Sequence, residues 1–186
     1  MKNKRTINYK ITKYEFYYLA GLIDSSSSFY LTKQACGRKN ELGKNSLRWV
    51  CAFVIQSVNH KLIEHISHLL FLGDSHTHTI DLKGNGHNHR LLKAIRVTGP
   101  ILDYLLPELI PILKVKQQHA QILRDFRESV TTVRYDQHNP VPLEVEIYRQ
   151  ELSNKVSYLN SKEYKDTIGS PLLPSANKHT NCKEQP

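Results

Sequence analysis

The chain has 186 residues, enough for one domain, or one domain and a tail, with a sizeable core. Its 26 Lys and Arg against 17 Asp and Glu give a formal charge of +9 and a pI near 9.4, a balance suited to a polyanion such as nucleic acid. No apolar run approaches the roughly 20 residues of a spanning helix, so no membrane role is expected. Cys36, Cys51 and Cys182 lack metal-ligand spacing, and their odd count argues against a disulfide framework and for a reducing compartment.

Residues 1–11 form a basic arm, and Met1-Lys2-Asn3-Lys4-Arg5 leads into no apolar signal core. Thr12-Lys13-Tyr14-Glu15 has the spacing of a capping box. It opens a helix whose stretch from Phe16 to Ile23 is apolar nearly all round. Such a helix must be buried on every side, and Ala20 and Gly21 in its middle permit close approach of a partner helix. Phe29-Tyr30-Leu31-Thr32 and the run Arg48 to Ile55 read as two strands of a long hairpin with a basic tip. Asn59 to Leu72 carries apolar residues at helical spacing, with Gly73 placed to close the helix. Thr77 to Leu82 and Arg90 to Val97 form a second hairpin around the glycine-rich turn at 83–87. Helices are predicted from Ile101 to Leu106, ending before Pro107, from Lys116 to Glu128, and from Leu143 to Leu159. This order is that of an α+β fold with an antiparallel sheet. The expected division is 1–11 arm, 12–128 main domain, 129–169 helical extension and 170–186 polar tail. The tail lacks periodicity and is expected to be disordered unless a partner orders it, which also accounts for the apolar share of 39%.

The most telling segment is Leu19-Ala20-Gly21-Leu22-Ile23-Asp24, followed by Ser25 to Ser28. With the element order around it, with Ala52-Phe53-Val54-Ile55-Gln56, and with Pro111-Ile112-Leu113-Lys114-Val115-Lys116-Gln117-Gln118, it resembles the LAGLIDADG homing endonucleases over roughly residues 12 to 128. A single motif in a short chain is similar to the homodimeric branch. The resemblance implies an αββαββα fold with a saddle-shaped antiparallel sheet lying along nucleic acid and a further C-terminal helix. It also implies motif helices meeting at Ala20 and Gly21 across a twofold axis, and an acidic residue ending each helix to bind a divalent cation.

The departure falls at that acidic residue. Ser25, Ser26 and Ser27 stand where the family has a small residue, an aspartate and a glycine, so Ser26 occupies the metal-ligand position. A hydroxyl is a poor ligand for Mg²⁺, which prefers anionic oxygen. Phosphodiester cleavage needs carboxylate-held cations. Asp24 lies about 200° around the helix from Ser26 at 3.6 residues per turn and points elsewhere. Gln56, or Ser57 one register later, matches a position that orders water in the family and Lys116 one that stabilises charge, with His60 or Lys61 as a further basic position. Without the carboxylate none of these runs the chemistry alone. No catalytic residue, metal or cofactor is therefore expected, with Mg²⁺ required only if the chain is active.

The candidate nucleic-acid-binding residues are Lys33, Gln34, Arg38, Lys39, Lys44, Asn45 and Arg48 on the first hairpin, and His78, His87, His89 and Arg90 on the second. Lys114 and Lys116 complete the set. His76-x-His78 and His87-x-His89 have chelating spacing on a strand, but no Cys or carboxylate cluster completes a metal site.

Three readings follow. One is a homing-endonuclease relative that binds nucleic acid without cutting it, retained in an organellar ribosome or as an intron-splicing factor, with RNA favoured over DNA. It acts either as a homodimer or docked onto a ribonucleoprotein. The second is an active DNA endonuclease, and the third a protein-interaction module. Richness in Lys, Asn, Ile and Tyr points to a mitochondrial or chloroplast location.

Overall fold

The computed structural model describes residues 11–39, 45–72, 76–82, 90–133 and 141–161. Strand residues 36–39, 45–46, 80–82 and 90 are described by their backbone. The order is α1 (Lys13–Ser26), β1 (Ser27–Lys39), β2 (Asn45–Ser57), α2 (His60–Leu69), β3 (Thr77–Leu82), β4 (Arg90–Thr98), α3 (Ile101–Leu109), α4 (Gln117–Thr132) and α5 (Leu143–Leu159). The strands form one antiparallel sheet in the order β1-β2-β4-β3.

α1 begins as expected. Thr12 accepts from the Glu15 amide, and the Glu15 carboxylate accepts from the Thr12 backbone N–H at 2.6 Å. Phe16, Leu19, Ala20 and Ile23 are buried against the sheet. Each large side chain among them contributes about 1.5–3 kcal/mol of burial. The opposite side of α1 is largely open among the described residues: Tyr14 is 86% exposed, Tyr17 and Gly21 face outward, and Tyr18 meets the His65 ring edge-on.

Along the strands, alternate residues share one face. Phe29 and Leu31 of β1, Cys51, Phe53 and Ile55 of β2, and Ile95 and Val97 of β4 face the helices and form the core with Ile63, Ile66, Leu102, Leu105 and Leu123. The intervening residues form the other face, which no helix of the described residues covers.

Three helix ends differ from expectation. α2 ends at Leu69, and the left-handed position that closes it is Phe71 (φ 52°), while Gly73 lies outside the described residues. Ser67 fixes this turn by donating to the Leu72 carbonyl at 2.6 Å. α3 runs through Pro107 to Leu109 rather than stopping at Leu106. Burial of Leu105, Leu106 and Leu109 outweighs the hydrogen bond that proline cannot donate. α4 continues to Thr132, past Glu128. There buried Arg149 donates to the Ser129 and Val133 carbonyls, supplying a cation and donors at a helix C-terminus.

α5 has the predicted bounds, and it seals the free edge of β1. Ser153 donates to the Leu31 carbonyl at 2.6 Å and Asn160 to the Phe29 carbonyl at 2.8 Å. An uncovered edge would invite pairing with other strands. Glu146 extends the clamp. It accepts from Trp49 Nε1 and pairs with Lys33, whose ammonium also lies 4.9 Å from the Trp49 ring centroid.

Burial would raise the Glu146 carboxyl, but the hydrogen bonds from Lys33 and Trp49 outweigh it and hold the group below its ordinary 4.5. A depressed folded value adds stability above pH 4.5, and that stability is lost as pH falls through the lower folded value. Acidification through that window is expected to shift the emission of Trp49, the single tryptophan. Glu146→Gln should abolish the pH-dependent step. An unchanged titration in that variant would remove Glu146 as its source.

Candidate nucleic-acid interface

The end of α1 passes into β1 without a loop, and its serines are turned inward. Ser25 and Ser26 both donate to the Leu22 carbonyl, at 3.1 and 2.9 Å, and Ser27 donates to the Ile23 carbonyl at 2.6 Å. These hydroxyls add second donors to carbonyls of the last helical turn, where the Ile23 carbonyl already accepts the Ser27 amide. Asp24 points away from them, as its angular offset requires. Its two oxygens accept the backbone amides of Lys114, Val115 and Lys116 at 2.8, 3.1 and 2.8 Å. Asp24 is thus a structural anchor that ties the end of α1 to the turn opening α4.

This donor set does not fit a divalent cation. Ser26 offers a neutral oxygen already committed as a donor, and the carboxylate of Asp24 is occupied by three amides. Among the described residues no three His, Cys, Asp or Glu side chains gather into a metal site.

The uncovered sheet face carries Tyr30, Thr32 and Gln34 from β1, Arg48, Val50, Val54 and Gln56 from β2, and Arg96 and Thr98 from β4. The strand registers place these residues on the face opposite the core. Ala52 and Ala94 are its small, fully buried centre. The Arg96 guanidinium sits 4.9 Å from the Tyr30 ring centroid. The face is polar and basic, with donors from arginine and both donors and acceptors from glutamine, the groups that contact phosphates and base edges.

Gln34, Arg48 and His78 lie on this face, and Gln56 is exposed on it. Lys33 does not. It falls on the helix side of β1, paired with Glu146, because an odd-numbered residue of this strand shares the face of Phe29 and Leu31. Arg38, Lys39, Asn45 and Arg90 lie on strand segments described by backbone alone, and Lys44, His87 and His89 lie outside the described residues. Lys114 and Lys116 sit in the turn held by Asp24, Lys114 exposed and Lys116 half-buried. His60 is drawn to the Leu91 carbonyl at 3.2 Å. Ala20 and Gly21 divide between two environments: Ala20 is 4% exposed in the chain's own core, and Gly21 faces outward. Arg96 was not anticipated. Its signal was legible, since a charged residue between buried Ile95 and Val97 on a strand must face the other way.

An αββαββα order, a motif helix running directly into the first strand, and an open antiparallel face together define the LAGLIDADG homing-endonuclease fold. Among solved structures the chain is similar to an archaeal intron-encoded homing endonuclease, I-Vdi141I, complexed with DNA (TM-score 0.59, 16% identity, 80% of this chain and 86% of that one). It is similar also to the homing endonuclease I-CvuI in complex with a DNA target (TM-score 0.57, 17% identity, 81% and 85%). A third is I-LtrWI, a LAGLIDADG homing endonuclease bound to target DNA (TM-score 0.52, 12% identity, 91% and 53%). No family model matches the sequence, and no curated protein matches it. At such identities the likeness establishes the fold.

Proposed function

We propose that this chain binds duplex nucleic acid along the open face of its sheet and does not cleave it. The observation that carries this reading is the end of α1, where Ser26 takes the ligand position with its hydroxyl turned into the helix and Asp24 is held by three amides. The net charge of +9 and the basic face support binding, as does the DNA bound by the similar structures.

The open side of α1 supports a twofold pair. Tyr14, Tyr17, Tyr18 and Gly21 recur at helical spacing, and a Cβ added at Gly21 would meet nothing within 4 Å among the described residues. Packing among the described residues therefore does not require that glycine, whereas close approach of a second α1 does. Docking of the same face onto a ribonucleoprotein is the alternative use. The richness in Lys, Asn, Ile and Tyr, which suits an A·T-biased genome, supports retention in an organelle, where an RNA partner in a ribosome or in intron splicing is the role proposed. An active DNA endonuclease is the second reading, favoured by Gln56 and Lys116, which retain the family's accessory side chains.

Binding of a labelled duplex measured over a salt series tests direct phosphate contact. The affinity should fall with log salt at a slope of about −0.9 per phosphate contacted, and the strands should stay intact in Mg²⁺. Salt-insensitive association would point instead to a protein partner.

A further inference from the structure

The open face is not uniform. β4 pairs with β2 only from Ala52 to Ser57 and ends at Thr98, while β1 and β2 continue past that point as a paired arm through Gln34 and Arg48. The result is a notch of about 410 Å³ whose lining includes Gln34, Arg48, His76, His78, Arg96 and Thr98. Among the described residues no carboxylate lines it. Its size falls in the range of roughly 300–1,000 Å³ typical of small-ligand sites, whereas a paired base step held in a duplex presents only its edges.

From this notch we infer that the protein holds one unpaired nucleotide extruded from the bound duplex; the inference rests on the open face being the nucleic-acid surface. Two guanidinium planes and two imidazole rings supply flat surfaces on which a base stacks, and Gln34 offers a donor and an acceptor to a base edge. The two arginines supply charge for the attached phosphate. Arg96 is already positioned, with its guanidinium beside Tyr30. Its Nε is buried and finds no acceptor among the described residues. A buried donor of that kind calls for a partner, and a turn of the Arg96 side chain on binding brings its Nε–H to a base carbonyl or phosphate oxygen in the notch.

The test uses the full chain with four probes: a short RNA duplex carrying one unpaired nucleotide, the same duplex fully paired, and the DNA versions of both. The bulged form should bind about tenfold tighter than the paired form, the scale of one base-stacking contact. Preference in RNA alone or in both polymers supports the inference and identifies the source of the nucleotide. Arg48→Ala, at an exposed position, and Arg96→Lys, which keeps the charge but not the plane, should each collapse the bulged-to-paired ratio towards one. A 4-thiouridine at the unpaired position should crosslink to peptides containing Arg48 or Arg96. Equal affinity for bulged and paired forms would overturn the inference and leave the interface standing. Crosslinks confined to other peptides, or a ratio unchanged in both variants, would also overturn it. No binding to any probe would overturn the interface reading itself.

Discussion

Replacing Asp24 with alanine is expected to lower stability by about 2–4 kcal/mol, within the range of losses from breaking a charged hydrogen-bond network. Three amides converge on its carboxylate, and a hydrogen bond to a charged group contributes about 1.5–3 kcal/mol net. The full sum is not expected, because Lys114 and Val115 are exposed and their amides regain water. Asp24→Asn should cost less, since its carboxamide oxygen still accepts while its NH₂ faces donors. Urea midpoints with an unchanged slope read the loss directly. A shift of less than about 0.5 kcal/mol, the scale of an ordinary surface substitution, would show that the anchor is dispensable.

The second large effect concerns the serines. Ser26→Asp combined with Ser27→Gly places a carboxylate at the C-terminus of α1, where the helix dipole disfavours it by about 0.3–1 kcal/mol. It also removes the donations to Leu22 and Ile23, worth about 0.5–1.5 kcal/mol each. The double variant should therefore be less stable than the natural chain without divalent cations. If two α1 helices meet and bring two such carboxylates together, Mn²⁺ or Mg²⁺ should restore the loss, by about 2.7 kcal/mol when the cation stands at a hundred times its Kd. The natural chain should show no matching rise in Tm. A double variant indifferent to cations would mean that the helices do not meet in the geometry the fold implies.

Local chemistry made much of the fold legible. The Thr12–Glu15 capping box, the strand alternation and the span of α5 each follow from neighbours in sequence. The α3 end was misread because Pro107 is a strong local stop, and only the core contacts of Leu105, Leu106 and Leu109 show why the helix continues. Lys33 was assigned to the nucleic-acid face because a basic hairpin does not reveal which side each residue takes. Its partner Glu146 lies on a helix more than a hundred residues later in the chain. The function of Asp24 was equally remote, as its three amide partners come from the turn before α4. Its orientation away from Ser26, by contrast, follows from helix geometry alone. The Arg96 notch is not legible in the sequence because it arises where β4 stops short of its neighbours, a feature of sheet register.

In the proposed function, grip draws on the open face of the sheet and cutting on the position of Ser26, and a single assay separates them. The natural chain is incubated in Mg²⁺ or Mn²⁺ with a duplex it retards on a gel, beside the Ser26→Asp, Ser27→Gly variant, and the strands are resolved under denaturing conditions. Retarded duplex with every strand whole is the predicted result for the natural chain. Site-specific double-strand breaks made by it would contradict the assignment of Ser26 to a vacated ligand position.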